Sequence, residues 1–303
     1  MLQVITSIHA IQESIKTLKE KRSTIGLVPT MGALHEGHLS LVRQAKKDID
    51  TVVVSIFVNP LQFGKNEDFA RYPRTFGNDC NLLSQEGVDI VFNPGAAELY
   101  PDGFCTSVIP ESLEDKLCGK SRPGHFRGVA VVVLKLFNLI QPDIAYFGQK
   151  DFQQTVVIKR IVSDLNTGVT IKVLPTIRNQ HGLALSSRNA YLSETERNEA
   201  LCLYTALTRA KTLANTGTTD AGEILREMEK IISQSKSATV DYISVVHPET
   251  LEAVTKAQGG DVVALAVRIG KTRLIDNIIL LLLITFSCLI LPCKISFLCT
   301  QVF

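Results

Sequence analysis

The chain has 303 residues, 45% of them hydrophobic and 20% charged, enough apolar material for one large or two moderate domains. Its 32 basic and 30 acidic residues leave a net charge of only +2, and no run of like charges marks it as a nucleic-acid binder. None of the seven cysteines forms a C-x-x-C pair, so neither a structural zinc site nor a disulfide framework is expected, and the protein reads as one of the reducing cytoplasm.

Residues 1–21, MLQVITSIHAIQESIKTLKEK, lack the apolar core of a secretory signal and read as an amphipathic surface helix. Short apolar runs then alternate with helical patterns. Residues 24–30 (TIGLVPT) predict a buried strand, 37–48 a helix, and 51–57 (TVVVSIF) the clearest strand of all, β-branched and closed by Asn59-Pro60. A helix over 75–86, a strand over 89–92, a helix over 129–140, a strand over 144–147, a helix over 151–165 and a strand over 169–174 follow. Continuous apolar strands separated by helices predict an α/β fold with a doubly wound, Rossmann-like parallel sheet over residues 1–176. Its ligands would sit beyond the carboxyl ends of the strands.

Past residue 176 the texture changes. Ser193 with Glu196 makes a capping box that opens a helix through about residue 213, and a second helix covers 221–234. Strands over 239–246, 261–267 and 272–277 complete a smaller α+β domain, residues 177–277, packed directly on the first. Residues 278–303 form a hydrophobic tail whose opening run, 278–291, is shorter than the roughly 18–20 residues that span a bilayer. It reads as a buried last strand with an appendage, as an altered reading frame, or as a tail anchor. The lack of a dense basic cluster beside it argues against the anchor, and so against membrane contact.

Four segments carry chemistry. The first is Pro29-Thr30-Met31-Gly32-Ala33-Leu34-His35-Glu36-Gly37-His38, an H-x-G-H arrangement where a strand meets a helix. Gly32 and Gly37 permit close approach of a ligand, the helix start offers N–H groups to phosphate, and His35 and His38 would project together. As imidazolium groups they could stabilise charge developing on an α-phosphate and on departing pyrophosphate. The plainer alternatives are two surface histidines or a metal pair, for which no third ligand is evident. The second segment, Gly148-Gln149-Lys150-Asp151-Phe152-Gln153-Gln154, repeats the strand-to-helix geometry. Lys150 suits phosphate as a point charge, Asp151 suits a helix cap, and Gln154 suits a substrate carboxylate or hydroxyl.

The third, Gly182-Leu183-Ala184-Leu185-Ser186-Ser187-Arg188-Asn189, reads equally as a loop closing over phosphates, with Arg188 bidentate, or as a capping loop with a surface arginine. The fourth is Val58-Asn59-Pro60-Leu61-Gln62-Phe63-Gly64 after the second strand, where the uncharged Asn59 and Gln62 suit a small hydroxylated acid. The basic turn Ser121–Gly128 is either a phosphate-facing loop or an ordinary solvated one. No G-x-x-x-x-G-K-[ST], G-x-S-x-G or G-x-G-x-x-G motif occurs, and no Cys or Ser is framed as a nucleophile. Direct attack of a carboxylate on ATP, with the protein supplying position and charge, fits that inventory.

The blocks LVPTMGALHEGH, VSIFVNPLQF, RYPRT, SRPGHFRGV, FGQKDFQQ, GLALSSRN and RLIDN, in this order, resemble the pantoate–β-alanine ligase (pantothenate synthetase) family from the amino terminus to about residue 277. The resemblance implies a nucleotidyltransferase-type Rossmann domain, a cytoplasmic homodimer, and Mg-ATP-driven condensation of pantoate with β-alanine through a pantoyl-adenylate. By motif position it implies that Met31 to His38, Gly148 to Asp151, Ile177 and Leu185 to Arg188 form the ATP site, with His38 as proton donor. The catalytic set would be His35, His38, Lys150 and Arg188. It implies too that Gln62 and Gln154 hold pantoate, that Gln62 borders the β-alanine site, and that Asp79 lies near magnesium. Position 181 is His where the family pattern suggests an acidic residue. The competing reading is a nucleotidylyltransferase moving AMP onto a phosphorylated acceptor. The uncharged Asn59, Gln62 and Gln154 argue against it, because such an acceptor calls for Lys or Arg. A non-catalytic nucleotide sensor is disfavoured by retention of both histidines, Lys150 and Arg188.

Overall fold

The computed structural model describes residues 2–65 and 67–281. The chain opens with a short strand, β1 (Gln3–Ile5), that its pattern does not announce. Helix α1 (Ile8–Glu20), capped by the Ser7 hydroxyl, buries Ile11 and Ile15, so the amino-terminal segment belongs to the core rather than lying only on the surface. Then come β2 (Ile25–Thr30), α2 (Glu36–Asp48), β3 (Thr51–Ile56), α3 (Phe76–Gln85), β4 (Ile90–Phe92) and two single turns, α4 (Ala96–Leu99) and α5 (Cys118–Ser121). Helix α6 (His125–Ile140), strand β5 (Ile144–Gly148), helix α7 (Phe152–Asp164) and strand β6 (Thr170–Leu174) follow.

The six strands pair in parallel in the order β1-β4-β3-β2-β5-β6. Leu27 and Val53 face the apolar cluster that holds α1 and α6, while their neighbours Val28, Val52 and Val54 face the cluster that holds α2 and α3. Both faces of each central strand are therefore covered, which is why these strands read as unbroken apolar runs. From β2 the chain winds outward through β3 and β4, then returns to lay β5 on the opposite flank of β2. The crevice at this reversal lies at the carboxyl ends of β2 and β5, where open α/β sheets bind ligands.

The second layer comprises α8 (Glu194–Glu199), α9 (Leu201–Asn215), α10 (Ala221–Ile232) and the antiparallel strands β7 (Ala238–Val246), β8 (Val262–Ile269) and β9 (Thr272–Ile279). The capping box of Ser193 and Glu196 forms, but the helix expected to run unbroken to residue 213 is interrupted at Ala200. There the Leu203 amide bonds back three residues instead of four, tightening the chain around a fully buried alanine. Strand β9 continues through Ile279 and Leu280 is buried, so the first residues of the apolar run 278–291 are absorbed by the sheet. Residues 282–303, to which the anchor reading attaches, lie outside the described residues. Among the described residues no helix is long and apolar enough to cross a membrane. Val246, Val262 and Ala264 share an apolar cluster with Phe126, Val156 and Val157, so the antiparallel sheet rests directly on α6 and α7.

One glycine sets how closely α6 meets the turn at Pro60–Gln62. A Cβ on Gly128 would come within 2.2 Å of the Leu61 carbonyl oxygen and 2.5 Å of the Gln62 nitrogen, both backbone atoms that cannot swing aside. Gly128→Ala is expected to destabilise the fold by about 1–3 kcal/mol, the usual cost of overpacking, and to push Gln62 out of position. Chemical denaturation measures the first effect; an unaltered midpoint would show that helix and turn are not so closely seated.

Candidate active site

A cavity of about 960 Å³ opens at the carboxyl edge of the parallel sheet, with walls from both sheets. Most of the residues singled out in the sequence line it: Met31, His35, Gly37 and His38 after β2, Gln62 after β3, Gly148, Lys150, Asp151 and Gln154 after β5. Ile177 and Leu185 to Arg188 close it from the second layer. Gly32, Ala33, Leu34, Glu36 and Gln149 do not. Glu36 is exposed and paired with Arg43. Gln149 bonds to Asn277 of β9. His181 sits on an exposed turn away from the wall, so the departure at that position leaves the cavity lining unchanged.

The two histidines form a reciprocal cap at the start of α2. The His35 amide donates to His38 Nδ1 at 3.3 Å, and the Gly37 amide donates to His35 Nδ1 at 3.2 Å, with the ring centroids 4.1 Å apart and the planes tilted by 34°. An imidazole nitrogen that accepts from an amide carries no proton, so each ring keeps its proton on Nε2. Burial, then the Lys150 ammonium, holds His35 at about 4. Burial, then His35 and Lys150, hold His38 well below the ordinary histidine range. The imidazolium pair expected from the sequence is thus a pair of neutral imidazoles that act as hydrogen-bond donors, until a polyanion beside them raises their basicity.

The N–H groups of the loop that leads into α2 are taken as well. Gly32 donates to Thr30 Oγ1 at 3.1 Å, and Ala33 and Leu34 donate to the two oxygens of Asp79, each at 2.9 Å. Asp79, almost wholly buried, is a brace for a segment in which Gly32 and Ala33 both have positive φ. A phosphate in this cavity is therefore met chiefly by side chains.

Those side chains converge. Lys150 is largely buried, with its nearest anion, Asp151, at 3.5 Å. Asp151 stands at the start of α7 yet makes no capping bond. Arg188 lines the cavity, but its fork is held by Asp68 at 2.9 and 2.8 Å, so bidentate capture of phosphate requires exchange with that carboxylate. Ser187 donates to the Ala33 carbonyl at 3.0 Å, joining the Leu185–Arg188 loop to the first segment.

Opposite, the Gln62 amide is oriented by its neighbours. Asn59, 1% exposed, accepts from the Leu61 amide and from the Tyr100 hydroxyl through Oδ1. Its Nδ2 then donates to the Gly128 carbonyl at 3.0 Å and to Gln62 Oε1 at 3.1 Å. Gln62 is left presenting Nε2, a donor, toward Met31 and the cavity. The Gln154 side chain has no hydrogen-bond partner among the described residues. Ser55 Oγ, Thr176 Oγ1 and Asn189 Oδ1 belong to wall residues and have no hydrogen-bond partner among the described residues.

The bracing residues Asp68, Tyr100 and Asn277 were not singled out by sequence. The available signal was the Asp276-Asn277 pair set between apolar residues of one strand, since buried polar pairs in strands have partners to find.

A family model described as pantoate-beta-alanine ligase matches residues 3–279. A pantothenate synthetase of Caldicellulosiruptor saccharolyticus is 53% identical over 276 residues, 91% of this chain and 98% of that protein. One of Koribacter versatilis is 52% identical over 279 residues, 92% and 96% of the two chains. Among solved structures, a Thermus thermophilus pantothenate synthetase superposes with a TM-score of 0.88 at 43% identity, covering 92% of this chain and 99% of that one. A Francisella tularensis pantoate-beta-alanine ligase complexed with beta-gamma ATP and beta-alanine gives 0.77 at 37% identity, covering 92% and 98%.

Proposed function

This chain belongs to the pantoate–β-alanine ligase family, and from that premise we propose how its own residues carry the reaction. It is an ATP-dependent ligase that condenses pantoate with β-alanine. The observation that carries the residue-level reading is the meeting of His35, His38, Lys150, Arg188, Gln62 and Gln154 on one cavity wall system.

In the first half-reaction the pantoate carboxylate attacks the α-phosphorus of ATP, an O–P bond forms, and pyrophosphate leaves with the bonding pair. The Nε2–H groups of His35 and His38 donate to the oxygens on which charge grows, and Lys150 offsets the leaving pyrophosphate. Gln62 Nε2 and the Gln154 amide hold the acid, and at the switch point the reacting atoms are kept in line. In the second half-reaction the free amine of β-alanine attacks the acyl carbon, AMP departs, and the ammonium formed on nitrogen loses a proton. His38 is the donor here: its Nε2–H bonds to the phosphate of departing AMP, and the ammonium proton passes to that phosphate or to water.

Magnesium fits this donor set as a passenger on the triphosphate. Asp151 lines the cavity, is 45% exposed at its side chain and has no arginine partner, so it would hold the ion together with phosphate oxygens and water. The ion would offset charge on the polyphosphate. Asp79 does not fit that role, because both its oxygens already accept from backbone amides. Residues 177–277 act as a lid over the Rossmann-like domain, residues 1–176, in this reading, with the Leu185–Arg188 loop closing on the nucleotide as Asp68 yields Arg188. The homodimer and the cytoplasmic setting rest on family resemblance.

The test is ATP–pyrophosphate exchange with pantoate and no amine. Exchange that depends on pantoate is expected. Exchange absent with pantoate but present with a phosphorylated acceptor would replace the ligase mechanism with nucleotidyl transfer.

A further inference from the structure

Strand β9 reaches from the second sheet into the loop that displays Lys150. Asn277, 3% exposed, donates through Nδ2 to two successive backbone carbonyls, Gln149 at 2.9 Å and Lys150 at 3.0 Å. Its Oδ1 accepts from the Gln149 side chain at 3.2 Å. The residue before it, Asp276, is itself locked: its carboxylate accepts both nitrogens of Arg178, at 2.5 and 2.9 Å, and accepts the Asn277 amide at 2.8 Å. Arg178 in turn stacks over Tyr204 of α9. Every polar atom of the Asn277 side chain is thus spent on residues 149–150, and its own backbone is held by a buried ion pair.

We infer that Asn277 is a positioning residue for Lys150, a clamp from the antiparallel sheet that fixes the turn between β5 and α7 so that the ammonium points at the nucleotide phosphates. The turn needs such a clamp. Residues Gln149–Asp151 form a single 3-10 turn with no side-chain cap, and Asp151 makes no capping bond to α7. Without the amide of Asn277, two carbonyls of a half-buried turn lose their donors, and a backbone that loses its partners rearranges to find others. A lysine displaced by about 1 Å loses much of its value as a charge aimed at one phosphate. Arg178, Asp276 and Asn277 also make the placement of Lys150 depend on the second layer, so the two layers share one nucleotide site through hydrogen bonds as well as through their apolar contact.

This inference rests on Lys150 serving the nucleotide, and the experiment separates the two. Asn277→Asp keeps the shape but turns an oxygen toward both carbonyls. It is expected to lower kcat/KM for ATP by at least about 20-fold while KM for pantoate stays within about twofold. Asn277→Ser, which removes the amide without setting an oxygen against the carbonyls, should fall between Asn277→Asp and the native enzyme. In a Lys150→Met background the Asn277→Asp change should cost less than about twofold more, because the group it positions is already gone. Thermal melts of all variants exclude gross unfolding, and Asn277→Ser serves the cycle if Asn277→Asp fails to fold. Equal losses from Asn277 substitution in both backgrounds overturn the clamp and leave the role of Lys150 standing. Full activity in Lys150→Met alone overturns both.

Discussion

His38→Ala is expected to lower turnover by about 100-fold or more, the scale of removing one donor from developing transition-state charge, and to abolish most pantoate-dependent pyrophosphate exchange. Two roles converge on this side chain, and they can be separated. Its Nδ1 completes the reciprocal cap by accepting the His35 amide, while its Nε2–H is directed to the cavity. Alanine removes both, so a stability loss of about 0.5–2 kcal/mol should accompany the kinetic one. Glutamine, a regular partner in this kind of cap, can accept the His35 amide and still lacks the imidazole. His38→Gln should therefore melt close to the native protein yet remain as impaired as His38→Ala. Native-like exchange by a stable His38→Gln enzyme would remove the imidazole from the chemistry and leave it as a capping group.

Asn59→Asp is expected to raise KM for pantoate by about 30- to 100-fold, from roughly 2–3 kcal/mol of lost or reversed hydrogen bonding to a charged substrate, with KM for ATP little changed. The substitution is isosteric, so packing against Gly128 is kept. Its Oδ1 can still accept from Leu61 and Tyr100, but the second oxygen now faces the Gly128 carbonyl and Gln62 Oε1. Gln62 relieves that repulsion by turning its amide over, which points a carbonyl instead of an N–H into the cavity. A carboxylate substrate then meets an acceptor where it needs a donor. Equal increases in both KM values, or none, would show that the orientation of Gln62 does not discriminate the acid.

The parallel sheet was legible because covered strands are apolar on both faces, and residues 51–56 alone carry enough β-branched residues to announce one. The histidine pair was legible for a related reason: glycines and imidazoles directly after a buried strand place chemistry at a sheet edge. The protonation state was not. It follows from Nδ1 accepting local amides and from Lys150, a residue far along the chain, and spacing reports neither. Nor could spacing reveal that Asp79 takes the amides of Ala33 and Leu34, or that Asp68 occupies the fork of Arg188, contacts that span 46, 45 and 120 positions. The break at Ala200 is invisible for the opposite reason, since the residues on both sides favour helix and only burial decides where the chain bends.

Strand β9 furnishes the stretch from Thr272 to Asn277 as cavity wall, although it is the last strand in chain order among the described residues. A nascent chain leaving the ribosome can therefore assemble the whole parallel sheet, both histidines and Lys150 while still lacking one side of the chamber. A nonsense codon anywhere before residue 272 should yield an inert product rather than a weakened enzyme, however well that product folds.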